Sequence, residues 1–247
     1  MYVTIRGLVI RSVQYKDADR VLTVLSDKLG RVTVKARGVS RKNSRLSSGA
    51  QLFSCSDMVL YESQGRYTLN EVQVIEQFEG LRNDITRMAL ASYFAEVLAC
   101  EEEEEQMGSE ELLRLTLNCL YALSSGKYPE CLIKAAFELR YMAISGYEPD
   151  LQFCSNCGKE LGMGRAIPER GEVYCTDCAA PFGIDLTENA LNSARHILSC
   201  DLKKLLSVTL SIEECRKLSD FSGRYLRACL ERGFRTLDFY HSLGEIK

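Results

Sequence analysis

Apolar and polar residues alternate along the first eighty positions. Beyond them the apolar residues recur every three or four positions, so the chain reads as a strand-forming part followed by a helix-forming part. Val3, Ile5, Leu8-Val9-Ile10 and Val13 make a first apolar run, and Val21 to Leu25 a second. Asp27-Lys28-Leu29-Gly30 reads as a hairpin turn, with Gly30 able to take a positive φ. In Arg31 to Arg37 the alternation is strict: Val32, Val34 and Ala36 belong to one face, Arg31, Thr33, Lys35 and Arg37 to the other. Met58 to Tyr61 and Tyr67 to Leu69, the latter continued by Val72, Val74 and Ile75, add two strands around a Gln64-Gly65 turn. Five short strands in so short a stretch fit a small closed barrel of the OB type. A small sandwich or an SH3-like barrel fits the pattern nearly as well.

Between the third and fourth strands, Gly38 to Gly49 is basic, rich in Ser and Gly and nearly without apolar residues, which predicts a long exposed loop. The helical period sets in at about Leu81, with Ile85, Met88, Ala89, Tyr93, Phe94, Val97 and Leu98. Ser109, Glu110 and Glu111 open a second helix that Gly126 closes. Pro129 suits the first turn of a third, ending at Gly146 before Pro149. Thr187 is a cap for a helix through Leu198, and Ser211-Ile212-Glu213-Glu214 matches a capping box for a long helix towards Arg232. The predicted class is α+β. A barrel over residues 1–79 precedes a helical domain over 80–247, which carries a cysteine-bearing insertion at about 150–182.

Net charge over the 247 residues is −3, which alone argues against a nucleic-acid partner. The distribution reverses that picture. Residues 1–50 hold eleven Lys and Arg against three Asp, a balance of +8, so the remaining 197 residues carry −11. A basic module is joined to an acidic body. The run Glu101 to Glu105 reads as a solvated helix end rather than an acidic docking patch. Met88 to Cys100, which contains Ser92 and Glu96, is too short and polar to span a bilayer, and the N-terminus lacks the apolar core of a signal peptide. A cytoplasmic, nucleoid-associated location is expected.

Eleven cysteines is an odd number, and seven of them (Cys55, Cys100, Cys119, Cys131, Cys200, Cys215, Cys229) have no regular spacing, as suits small apolar core residues in a reducing compartment. The other four follow Cys154-x2-Cys157-x17-Cys175-x2-Cys178. Two CxxC knuckles at this separation suit tetrahedral Zn²⁺, and four thiolates fill the coordination shell, so one structural ion is expected. Reduced core cysteines or redox pairs are a poorer reading. The intervening segment, with Gly158, Gly162, Gly164, Pro168 and Gly171, has little apolar material with which to fold unaided.

Arg31, Lys35 and Arg37 on one strand face, with Arg41, Lys42 and Arg45 on the following loop, can spread along a phosphate backbone. Tyr15, Phe53, Tyr61 and Tyr67 lie among these strands. Each is expected in the barrel core, and any that is exposed can stack on a base. The sequence contains no phosphate-binding G-x-x-x-x-G-K-[ST], no G-x-S-x-G and no H-E-x-x-H. His196 and His241 read as structural, and Asp17 and Asp19 as local ion-pair partners of Lys16 and Arg20. The expectation is a binding protein with no catalytic site. A zinc-ribbon RNA-binding factor of transcription or translation is the alternative, and a zinc hydrolase or ligase fragment a weaker one.

Several short segments in a fixed order resemble the bacterial DNA repair protein RecO family. They are Arg6-Gly7-Leu8-Val9-Ile10, Tyr15 to Arg20, Gly30 to Val39 with Ser44-Arg45, and Phe137-Glu138-Leu139-Arg140. Gly146-Tyr147-Glu148-Pro149-Asp150-Leu151 follows, leading into the first knuckle, and then Tyr225-Leu226 and Arg232 to Leu237. The resemblance covers essentially the whole chain. It implies an OB-fold and a helical domain with a zinc ribbon, and binding of single- and double-stranded DNA. It further implies annealing of complementary strands and, with a RecR-like partner, help in loading the recombinase onto DNA coated by single-stranded-DNA-binding protein (SSB). It implies that Lys35, Arg37, Arg41, Lys42 and Arg45 hold DNA, and that the acidic SSB tail docks on the helical domain at Lys134 and Arg140. Ala136 stands where the family pattern has a basic residue.

Overall fold

The structure, a computed structural model, describes residues 1–100 and 109–245. The glutamate run at 101–105 lies outside the described residues. The apolar runs become β1 (Tyr2–Gln14), β2 (Arg20–Ser26), β3 (Gly30–Ala36), β4 (Cys55–Ser63) and β5 (Arg66–Glu76). They close in the order β1-β2-β3-β5-β4, a five-stranded barrel of the OB type. β1 pairs with both β2 and β4, and its register slips between Val9 and Arg11, a bulge that bends the strand around the barrel. Closure rests on a short parallel contact of Val34 with Tyr67 and Lys35 with Thr68. Gly30 sits at φ 64, and Gln64 and Gly65 at 53 and 71, the paired positive values of a tight hairpin turn. The alternation of β3 sends Val32, Val34 and Ala36 into a core shared with Ile5, Val9, Leu22, Val24, Met58 and Leu60.

The loop from Gly38 to Gly49 departs from the sequence expectation. Its charged side chains are exposed, but its backbone is not loose. Val39 and Ala50 are buried in the barrel core and Leu46 packs against it. The Gly38 N–H donates to Asp19 Oδ1 at 2.8 Å and the Ser40 N–H to the Ala18 carbonyl at 3.0 Å. A few apolar anchors and two hydrogen bonds to the β1–β2 loop suffice to seat a segment that composition alone marks as unattached.

The helices are α1 (Ile85–Leu98), α2 (Ser109–Ser125), α3 (Glu130–Ile144), α4 (Glu188–Ser199), α5 (Ile212–Cys229) and α6 (Arg235–Glu245). Among the described residues none is long and apolar enough to cross a membrane. The sequence boundary at 79/80 separates strands from helices, whereas compactness groups the chain as residues 1–120 with 234–247, and 121–233. In the first unit α6 returns to α1. Phe234 meets Tyr93 edge-on at 5.4 Å, and the Glu96 carboxylate accepts the Thr236 N–H at 3.0 Å, capping α6. In the second unit α3 is buried all along Leu132 to Leu139, a helix packed on every side.

The expected caps form. Thr187 accepts the Ala190 N–H, and Ser211 and Glu214 make the reciprocal capping box of α5. Glu214 also accepts from the Thr187 hydroxyl at 2.6 Å, so one carboxylate serves two helix starts. That hydroxyl, with the Ser211 backbone and side chain, holds Glu214 down at about 2. A carboxyl depressed in the folded state stabilises it above the unfolded value of roughly 4.3, and the contribution fades as pH falls towards the folded value. Glu214→Gln is therefore expected to flatten the decline of melting temperature over that acid range, and an unchanged acid limb would contradict the assignment. Ser211→Ala should cost about 1 kcal/mol at neutral pH.

Candidate nucleic-acid interface and metal centre

The four spaced cysteines converge. Cys154 and Cys157 belong to a turn in which the Gly158 N–H donates to the Cys154 carbonyl at 2.9 Å, and Gly158 takes φ 70. Cys175 and Cys178 make the matching turn, closed by the Cys178 N–H on the Cys175 carbonyl at 3.1 Å. Three short strands, β6 (Gly164–Ile167), β7 (Glu172–Tyr174) and β8 (Ile184–Leu186), hold the knuckles in a sheet ordered β7-β6-β8. All four Sγ atoms lie within 4.8 Å of one another, and Cys157 and Cys175 are 3.8 Å apart. A tetrahedral Zn²⁺ with bonds of about 2.3 Å requires sulfurs about 3.8 Å apart.

Burial raises the Cys154 thiol, but the backbone N–H groups of Cys157, Cys175 and Asn156 outweigh it and bring the group down to about 6. Asn156 favours the thiolate of Cys178, yet hydrogen bonds with Cys157 and Cys175 and burial prevail, and it is pushed up to about 11. The donor set fits a soft, tetrahedral metal ion.

Lys35 and Lys16 meet beside the Tyr15 ring at the end of β3. The β2–β3 ladder sets Val21 opposite Lys35 and Arg20 opposite Ala36, so the end of β3 lies beside the β1–β2 loop. Lys35 reaches Asp19 at 3.9 Å, and its Nζ stands 5.0 Å from the centre of the Tyr15 ring. Lys16 Nζ lies 5.7 Å from the same centre. Arg37, Arg41, Lys42 and Arg45 are exposed, and the Arg41 side chain lies against Gly38, whose φ is 63. Arg31 is not part of this cluster. It stands at the start of β3, about 13 Å away along the strand, and its Nη1 points to the Leu98 carbonyl of α1 at 3.5 Å.

Lys16, which sequence reasoning left out, joins the rim because its loop folds over the end of β3. The register was the missing signal. Asp19 is paired with Lys35 and the Gly38 N–H, rather than with its sequence neighbours Lys16 and Arg20, and Arg20 donates to the Ser12 hydroxyl at 3.1 Å. Among the aromatics, Phe53 is buried and Tyr67 packs against the core, while Tyr15 and Tyr61 are exposed.

The two cations expected to receive an acidic tail are placed differently from each other. Lys134 is 3% exposed, ion-paired with Glu138 at 2.9 Å and bonded to the Ser219 carbonyl at 2.9 Å. Arg140 is half-buried and donates to the Ile197 carbonyl at 3.4 Å and to that of Leu198, both in the last turn of α4. His196 bonds the Lys204 carbonyl and the Ser207 hydroxyl, and His241 is exposed near the end of α6.

The sequence profile of the N-terminal part of recombination protein O matches residues 1–78, and that of its C-terminal part matches residues 82–238. The chain belongs to the recombination protein O family. Similar proteins named DNA repair protein RecO include one from Acetivibrio thermocellus, 31% identical over 100% of this chain and 99% of the relative. Another, from Symbiobacterium thermophilum, is 32% identical over 96% of both, and one from Halalkalibacterium halodurans is 27% identical over 99% and 97%. Family membership, barrel and cysteine cluster together describe a DNA repair protein with an OB-type module and a site able to hold a metal ion.

Proposed function

We propose that the protein is a non-enzymatic mediator of recombinational repair that binds single- and double-stranded DNA at the barrel rim and anneals complementary strands. What supports this reading is Lys35 at the end of β3 and the exposed cations Arg37, Arg41, Lys42 and Arg45 on the segment that follows it, on the OB-type module of a DNA repair family. Arg31 extends the same strand face and has the more structural part, at the end of α1. The Lys35–Asp19 pair is long and partly solvated, and such pairs are worth about 0–1 kcal/mol, so a phosphate displaces Asp19 at little cost. Cations hold two backbones close and cancel their repulsion, while base pairing supplies the sequence choice. No bond is made or broken by the protein.

The barrel over residues 1–79 is the DNA-binding domain in this reading, and the helical part over 80–247 receives the protein partners. These are a RecR-like protein and the acidic C-terminal tail of SSB, which brings the chain to coated single strands and raises its local concentration there. Arg140 is the remaining candidate for the tail, since Lys134 is engaged with Glu138. Zn²⁺ bound by Cys154, Cys157, Cys175 and Cys178 supplies a crosslink of the ribbon and takes no part in a reaction.

Reversing charge at both Lys35 and Arg37 is expected to abolish salt-sensitive annealing of SSB-coated complementary oligonucleotides while circular dichroism and melting stay native. Annealing at the native rate by the folded variant would remove the rim from the proposal. Tighter binding of RNA than of DNA by the native chain would redirect it to an RNA-binding role.

A further inference from the structure

We infer that Tyr15 is a base-stacking residue that gives the basic rim its preference for unpaired strands. The inference rests on the reading of that rim as the DNA surface. Tyr15 is 57% exposed in the β1–β2 loop, and two lysines, Lys35 and Lys16, lie within 6 Å of its ring centre. The loop that carries it is fixed. The N–H of Tyr15 donates to the Asp19 carbonyl at 3.0 Å, and the Asp19 carboxylate binds both Lys35 and the Gly38 N–H.

An exposed ring held by its own backbone between cations is a platform of the kind that single-strand binders use, where aromatics take the bases and basic groups the phosphates. In a duplex each base is covered by its neighbours and offers no free face, so a ring contact of this kind rewards single strands alone. The cation–ring contacts also keep the lysines near the ring until phosphates arrive, and each contact is weak enough at an exposed site to be exchanged. The other exposed barrel tyrosines are differently placed. Tyr2 and Tyr61 pack on each other, with ring centres 5.3 Å apart.

The chain has no tryptophan, so Tyr15→Trp introduces a single indole whose fluorescence reports directly on stacking. Titration with an oligothymidylate is expected to quench it, and titration with an abasic oligomer of equal charge is expected to bind without quenching. Tyr15→Leu should weaken oligothymidylate binding on the order of tenfold with the slope of affinity against salt unchanged and duplex binding untouched. Tyr15→Phe should bind as the native chain does. Lys35→Ala, by contrast, should weaken both ligands and lower the salt slope.

If the folded Tyr15→Leu variant binds the oligonucleotide at native strength, or if binding leaves the introduced indole unquenched, the stacking role is overturned and the rim remains a DNA surface. If the native chain binds neither oligonucleotide nor duplex, the rim reading falls and the stacking role falls with it.

Discussion

Replacing Cys175 by serine, or removing the metal with a chelator, is expected to unfold residues 151–186 and to lower the melting temperature sharply. Structural Zn²⁺ contributes about 10–16 kcal/mol to the folding of small thiolate sites, against a total stability of about 5–15 kcal/mol for an ordinary domain. The ribbon's own interior is small. Its apolar interior is Leu151, Leu161, Ala166, Ile167, Val173, Ile184 and Leu186, and its three strands have three or four residues each.

The consequences should reach α5. Gly171 closes a turn so near the Tyr225 ring that a Cβ there would lie 2.8 Å from it. The Tyr225 hydroxyl donates to the Tyr147 carbonyl at 3.0 Å, and Arg224 grips Glu169 at 2.7 Å. Loss of the metal should therefore expose Tyr225 and speed hydrogen exchange around it, while the DNA binding proposed for the barrel persists, because none of the four cysteines belongs to residues 1–79. One metal ion per chain by elemental analysis is the accompanying expectation. Native exchange protection across 151–186 in metal-free protein would show that the ribbon folds without an ion.

What could be read from the sequence was local. The strict alternation of Arg31 to Arg37 specifies a strand and its buried face without reference to any other part of the chain, and β3 follows it. Ser211 and Glu214 are three residues apart and cap one helix start, and the spacing of the knuckles announces four sulfurs that converge. What could not be read depends on which distant segments meet. Lys35 finds Asp19 because the β2–β3 ladder brings the β1–β2 loop alongside, and Arg31, grouped by strand face with the other cations, is drawn instead to the end of α1. The β3–β4 loop has the composition of a free segment, yet Val39, Leu46 and Ala50 anchor it to the barrel core. In each case the deciding partner lies many residues away, and a periodicity holds no information about it.

Lys134 is the sharpest instance, and its replacement carries a large expected cost. As a lone cation in a helix it reads as a surface charge. The residues around it say otherwise once α3 is seen to be buried on every side, from Leu132 to Leu139. Inside, Lys134 and Glu138 form an i,i+4 ion pair, and the network is completed from α5 by the Ser219 carbonyl and by the Ser222 hydroxyl, which donates to Glu138 at 2.6 Å. Gly223 leaves the room for it: a Cβ there would stand 2.6 Å from the ammonium. Lys134→Met removes the cation and strands a buried carboxylate, which costs about 3–5 kcal/mol in comparable pairs. Replacing both charges, as Lys134→Met with Glu138→Leu, should recover much of that loss, since the desolvation of two ions disappears along with their attraction. Chemical denaturation of the native chain, of Lys134→Met and Glu138→Leu singly and of the double variant measures the coupling directly. Additive losses in the double variant would mean that the two charges stabilise the helix pair independently. Recovery would show that the pair adds little net stability and is costly to lose only when one charge is left buried alone.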